Sequence, residues 1–366
     1  MDPTTLRAAV RRFPLVGLAR PGHPPLPKRV NEIADIAETA ARQGADALHE
    51  GAHALNKAAL LASDCGLPDL ARDLCWQHIN IYRGAGHPLT VLQARYMLEP
   101  ALNLARLQIR ADAGQHALRL LDAMYQAVTH GTDLAIEDRT LPLTNLAGTP
   151  KEHHKLREWI WLQYLADGIR ALALADRWDE AVTHAKAHQG IGLHLMEGRQ
   201  AAIIAHCLRG TLGAARALLD ESTTTEPWEQ QVASCLRVLC AEPDGAAASR
   251  NTAAMVEQFL GHGPMPGYAV FRTRFGLTVA TLADTTEAAN RVHGQLTAEV
   301  IESGDGYAAR DMLRRRPLDG VSDARRQALT DLVESSGLGA GALPAPLLDS
   351  LTYSVKTASE ALAMAV

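Results

Sequence analysis

Asp176-Arg177-Trp178-Asp179-Glu180-Ala181 lies between two stretches of helical periodicity, and its pattern, a small residue followed five positions later by alanine, returns along the chain. Gly66-Leu67-Pro68-Asp69-Leu70-Ala71 and Gly210-Thr211-Leu212-Gly213-Ala214-Ala215 are clear copies, and weaker ones end at Ala117 and Ala309. The copies at Asp176 and Gly210 stand 34 residues apart. A small turn residue and an alanine at fixed spacing mark the junction of two closely packed helices, because only a small side chain fits where helices approach at a short distance.

The flanking sequence has the period this requires. Val30, Ile33, Ile36, Ala37, Ala40 and Ala41 recur at three- and four-residue intervals, the spacing of one helix face. Helix pairs are expected at about 45–63 and 68–82, at 90–111 (with Pro100 bending it) and 113–128, from 151 through a turn at Asp176-Arg177 to about 190, and at 193–209 and 212–219. Thr149-Pro150 supplies a cap and a first-turn proline. Between His130 and Pro150 the period changes. Leu134, Ile136, Leu141 and Leu143 alternate with polar residues, which predicts a β-hairpin inserted at about 131–148. That insertion accounts for the 64 residues between Ala117 and Ala181.

Three regions follow. Residues 1–28 hold a short amphipathic stretch and the run Pro21-Gly22-His23-Pro24-Pro25-Leu26-Pro27, an extended linker or strap. Residues 29–222 carry the repeats. Residues 223–366 form a less regular helical region, with breaks at Pro243, 261–267 and Gly304, a small and flexible stretch at 335–346, and a final capping helix from Leu347 with Leu348, Leu351, Val355 and Leu362 on one face.

Over roughly residues 45–220 the chain resembles the tetratricopeptide family, on the turn glycine or aspartate, the alanine five residues later and the apolar residue before that alanine. Trp178-Asp179-Glu180-Ala181 is similar to that family's aromatic-Asp-Glu-Ala helix start. The first-helix Trp and terminal Pro of the family pattern are missing from most copies, and the spacings of 46 and 64 are irregular. The resemblance implies an all-α, right-handed helical-repeat α-solenoid whose first helices line a concave groove that holds an extended peptide. Carried onto the matching first helices, the groove positions fall on His53, Asn56 and Ser63, then Glu99 and Arg106, then Gln163 and Arg170, then Glu197 and Gln200. The stretch from Ala54 to Ala71 also resembles Ala/Arg-rich helical proteins of actinobacteria encoded beside natural-product genes. That likeness implies an accessory or regulatory role.

Composition narrows the classes further. In 366 residues, 47% are hydrophobic but only 4% aromatic, so the core rests on Ala, Leu, Val and Ile. A formal charge of −5 argues against nonspecific binding to nucleic acid, which requires many phosphates to be neutralised. The clusters Arg11-Arg12 and Arg314-Arg315-Arg316 are diluted by acidic residues. Cys65, Cys75, Cys207, Cys235 and Cys240 are odd in number and show no CxxC pairing, the usage of small core residues in a reducing cytosol. No apolar run reaches the ~18 residues of a membrane span, and the N-terminus lacks a signal-peptide pattern. A cytoplasmic location is expected.

His49-Glu50-Gly51-Ala52-His53 is a literal HExxH. On a helix it would place two imidazoles on one face to grip zinc, with the glutamate activating the bound water. Gly51 weakens a helix at its centre, and no third-ligand motif supports Asp64, Asp69 or Asp73. His184 and His188 share the same spacing without carboxylates to match, and His153-His154 fall in a hydrophilic first turn. GxSxG, GxxxxGK[ST] and GxGxxG signatures are absent, and Gly337-Leu338-Gly339-Ala340-Gly341 reads as a linker. The sequence therefore favours a non-enzymatic adaptor or regulatory scaffold for a protein or peptide partner, without cofactor and possible as a homodimer. A helper subunit of a peptide-modifying complex is the alternative, and a zinc hydrolase using His49, Glu50 and His53 a weaker one.

Overall fold

A computed structural model describes residues 1–42, 44, 46–242, 246–314 and 321–366. Arg315, Arg316 and Pro243 lie outside the described residues. Seventeen helices run in chain order among them: α1 (Pro3–Val10), α2 (Leu26–Ala41), α3 (Ala47–Asp64), α4 (Pro68–Arg83), α5 (Val91–Arg110), α6 (Gly114–His130), α7 (Pro150–Leu174), α8 (Trp178–Ala187), α9 (Glu197–Leu208), α10 (Leu212–Asp220), α11 (Pro227–Leu239), α12 (Ala246–Gly261), α13 (Ala269–Leu282), α14 (Thr286–Ser303), α15 (Gly306–Leu313), α16 (Asp323–Ser335) and α17 (Ala345–Ala365). The only strands described are β1 (Leu134–Ile136) and β2 (Arg139–Leu141). The fold class is all-α with one hairpin.

The repeated motif has one backbone explanation at all five sites. Gly66, Asp112, Asp176, Gly210 and Gly304 each adopt a left-handed conformation, with φ between 57° and 78°. Glycine and aspartate tolerate that region better than most residues do. In each turn the N–H of the left-handed residue donates to the carbonyl three positions back: Gly66 to Ser63, Asp112 to Ile109, Asp176 to Ala173, Gly210 to Cys207 and Gly304 to Ile301. In the first four turns the next N–H reaches back five positions, from Leu67 to Ala62, Ala113 to Gln108, Arg177 to Leu172 and Thr211 to His206. These pairs close the preceding helix and satisfy its last carbonyls. Five residues on, Ala71, Ala117, Ala181, Ala215 and Ala309 are all buried, so the second helix can lie close against its partner.

The hairpin forms where the alternation predicted it. Leu134 pairs with Leu141 and Ile136 with Arg139 in antiparallel register, and Leu134, Ile136, Leu141 and Leu143 are buried. Asp133 fixes its exit by accepting from the Leu143 and Thr144 amides and from the Thr144 hydroxyl. Ala147 then bridges to the start of α5 through Leu89 and Val91. Thr90 and Gln93 form a capping box there, and α5 continues through Pro100 rather than ending at it.

The chain divides into two compact units, and the division differs from the three regions expected. One comprises Pro25–Ala171 with Gly337–Val366, the other Met1–Pro24 with Leu172–Ser336. In the first, α2, α3, α4, α5 and α6 each contact the next, and α17 packs on α2 and α3. The final helix therefore covers the first helices of its own unit. Its buried face is Leu351, Ser354, Val355, Ala358, Ala361 and Leu362. Leu348, expected on that face, is exposed. The stretch at 335–346 is not a loose linker either, since Gly339 N donates to Asp64 O and Gly341 N to Cys65 O. Gly51 lies where α17 crosses α3: a Cβ there would stand 3.0 Å from Leu362 Cβ and 3.2 Å from Ala358 O. Helix packing, at the cost of helix propensity, accounts for this glycine.

In the second unit α8 packs on α9, α9 on α10, α11 on α12, α13 on α14 and α15 on α16. Its N-terminal segment is a strap, as the prolines suggested, but it ends sooner: α2 already begins at Leu26, with Pro27 in its first turn. The strap is fastened by Gln200, which accepts from Leu15 N (2.8 Å) and donates to Leu15 O (2.7 Å) and Leu195 O. All five cysteines are buried and free, and Cys207 and Cys240 place their sulfurs 3.7 Å apart. No described helix is long and apolar enough to cross a membrane.

Candidate functional site

Polar side chains of α3, α5 and α7 meet in a ladder. His49 Nδ1 lies 2.9 Å from the Tyr96 hydroxyl. Asn103 Nδ2 donates to Asn56 Oδ1 at 2.5 Å, and Arg110 donates to the Ser63 hydroxyl. The three rungs share one offset of 47 residues and recur every seventh position along each helix. Seven residues are two turns, so the rungs sit on one face of α3 and one of α5. Arg106 continues the ladder to α7, donating from Nε to Asp167 (2.9 Å) and from Nη2 to Gln163 (3.0 Å). Near the other end Arg95 reaches Glu99 at 3.6 Å and stands 5.4 Å over the Trp159 ring.

Charges in the ladder are matched rather than accumulated. Buried Asp64 faces Arg29 at 2.7 Å and Arg110 at 3.4 Å, and Asp167 faces Arg106. Burial raises the Glu99 carboxyl above its ordinary range, against the opposing pull of Arg95. Burial also lowers His53, helped by the Lys57 ammonium and opposed by Glu50, which favours a neutral imidazole at pH 7. The side chains of His53, Arg95, Arg106 and Arg110 remain nearly half exposed. Their donors are thus held in place by partners yet open to solvent. A surface of this kind can hydrogen-bond a peptide main chain without first ordering its own side chains.

Seven of the nine expected groove residues belong to the 25–171 unit, and four of them, Asn56, Ser63, Arg106 and Gln163, take part directly in the ladder. Glu99 joins through Arg95. His53 is on α3 beside Glu50 (3.9 Å). Arg170 is half-buried on α7. Glu197 and Gln200 belong to the other unit. Gln200 is a correction: at 0% exposure its amide is spent on the N-terminal strap and is closed to a partner. Tyr96, Asn103, Arg110 and Asp167 were missed. The offset of 47 applied to His49, Asn56 and Ser63 would have found the first three, because it nearly equals the 46 residues separating Gly66 from Asp112.

The HExxH residues lie on α3 as expected, with the two imidazole centroids 5.9 Å apart. His49 is engaged with Tyr96, and Gly51 serves the α17 crossing. No group of three or more His, Cys, Asp or Glu side chains is placed to hold a metal ion among the described residues. His184 and His188 lie ring to ring on α8 and the turn after it, with centroids 5.0 Å apart.

No protein-family model, curated protein or solved structure matches the chain.

Proposed function

We propose that the helix pairs of the 25–171 unit form a right-handed tetratricopeptide-like array, and that this unit is a non-enzymatic scaffold binding an extended peptide segment of a protein partner along α3, α5 and α7. The observation that carries the reading is the constant 47-residue offset of the three rungs. It aligns the first helix of one pair with the first helix of the next and leaves their polar faces half open. Amide and guanidinium donors such as Asn103, Gln163 and Arg106 suit main-chain carbonyls and the amide side chains of an extended peptide. Matched charges within the ladder favour a segment of mixed or neutral charge over a strongly acidic or basic one.

The experiment is selection from a phage-displayed library of random peptides, followed by calorimetry of the enriched peptides with the full-length protein. N56A/Q163A should weaken binding by about tenfold or more, which corresponds to losing about 1.4 kcal/mol, with an unchanged circular dichroism spectrum. Failure to enrich any peptide, or equal affinity in the variant, would sink this reading.

A further inference from the structure

A second site lies in the other unit. A cavity of about 330 Å³ opens beneath the N-terminal strap, where α13 and α14 face the Pro264-Met265-Pro266-Gly267 loop. That is within the size range of small-molecule pockets. Its wall is mainly apolar, with Met265, Ala269, Leu296 and Val300 among the lining residues. The strap is tied to the loop by Arg20 N donating to Gly267 O at 2.8 Å.

Several polar side chains interrupt that wall, and a buried guanidinium is among them. Arg272 is 4% exposed. Its Nε and Nη2 hold both carboxylate oxygens of Glu299 at 2.9 Å, and Nη2 also donates to Phe259 O at 3.0 Å. The guanidinium stacks 3.7 Å over the Phe259 ring. Nη1 has no acceptor among the described residues. A guanidinium fixed by a two-point ion pair and an aromatic ring cannot turn to find one. A buried donor left without an acceptor is costly, so a ligand that supplied one would recover that cost. Glu299 already balances the charge of Arg272, and Glu302 and Asp305 also line the cavity. An anion is therefore disfavoured, and an uncharged acceptor suits the site.

We propose that this cavity binds an uncharged, mainly apolar small molecule that presents a carbonyl oxygen to Arg272. The test uses two dyes with the full-length protein, Nile red (uncharged, with a ring carbonyl) and diphenylhexatriene (a hydrocarbon without an acceptor). Nile red fluorescence should rise saturably with a 1:1 stoichiometry, and the dye should bind about tenfold or more tighter than diphenylhexatriene, the effect of one hydrogen bond to a charged donor. A269W fills the cavity from the start of α13 and should abolish binding of both dyes. R272M/E299L replaces the pair with apolar groups, a change folds commonly tolerate, and should erase the preference for Nile red while keeping the hydrocarbon. The proposal is overturned if Nile red does not saturate, if folded A269W binds it unchanged, or if the wild-type protein binds both dyes equally. The comparison of dyes on the wild-type protein decides even if a variant does not fold.

Discussion

His78 provides a quantitative test of the packing in the unit formed by Pro25–Ala171 and Gly337–Val366. It lies on α4 at 0% exposure, with its ring 5.7 Å from that of Tyr82, and neither ring nitrogen has a hydrogen-bond partner among the described residues. Burial pushes its pKa down to about 3, against about 6.5 in an unfolded chain. With the folded pKa depressed, the unfolded state takes up the proton first as pH falls. Stability from a neutral His78 is therefore fully present above about pH 6.5 and is lost progressively down to about pH 3. At about 1.4 kcal/mol per pH unit, the two units between pH 6.5 and 4.5 amount to about 3 kcal/mol. H78L has similar volume and no titrating group. Its stability relative to wild type should rise by about 3 kcal/mol between pH 7.5 and pH 4.5, while the other titrating groups affect both proteins alike and cancel. Urea titrations at the two pH values, read by pulsed hydrogen exchange of the α4 amides, report this unit separately. A relative change below about 1 kcal/mol would refute the burial of a neutral imidazole at this position.

Two further substitutions probe the long-range contacts. G51V places a branched side chain where α17 crosses α3 and should destabilise that unit by about 1–3 kcal/mol. Limited proteolysis should then cut near 337–344, and wild-type resistance in the variant would contradict the crossing. Q200A strips the acceptor from Leu15 N and should cost about 2–3 kcal/mol in denaturant titrations, with faster amide exchange across residues 13–18. An effect confined to peptide binding, with no loss of stability, would return Gln200 to the groove.

The parts of this fold that depend on neighbours in sequence were legible. A left-handed residue closing a helix and an alanine five positions later leave a local signature, so all five turns could be located from Gly66, Asp112, Asp176, Gly210 and Gly304. The hairpin was legible for the same reason, since alternation of Leu134, Ile136, Leu141 and Leu143 is itself a statement about two faces. What misled were residues whose partners lie far along the chain. Gln200 had the polar character and register of a groove residue, yet its hydrogen bonds go to Leu15, 185 positions away. Gly51 looked like a weak point in α3 because the helix it accommodates begins nearly 300 residues later. The glycines at 337–341 looked mobile because composition does not reveal that Gly339 and Gly341 donate to the end of α3. The polar ladder was half legible: register selected Asn56, Ser63, Arg106 and Gln163, but the residues that lock them, Asn103, Arg110 and Asp167, required the pairing of α3 with α5 and of α5 with α7.

The most direct measurement of the central claim is photo-crosslinking of a selected peptide to full-length protein carrying benzoylphenylalanine at single positions. Position 53 on α3 lies beside the ladder and position 163 on α7 within it, whereas position 73 on α4 and position 119 on α6 are exposed on the second helices. The account predicts crosslinks from 53 and 163 and none above background from 73 and 119. Crosslinks from 73 or 119 with silence at 53 and 163 would place the partner elsewhere and contradict the account.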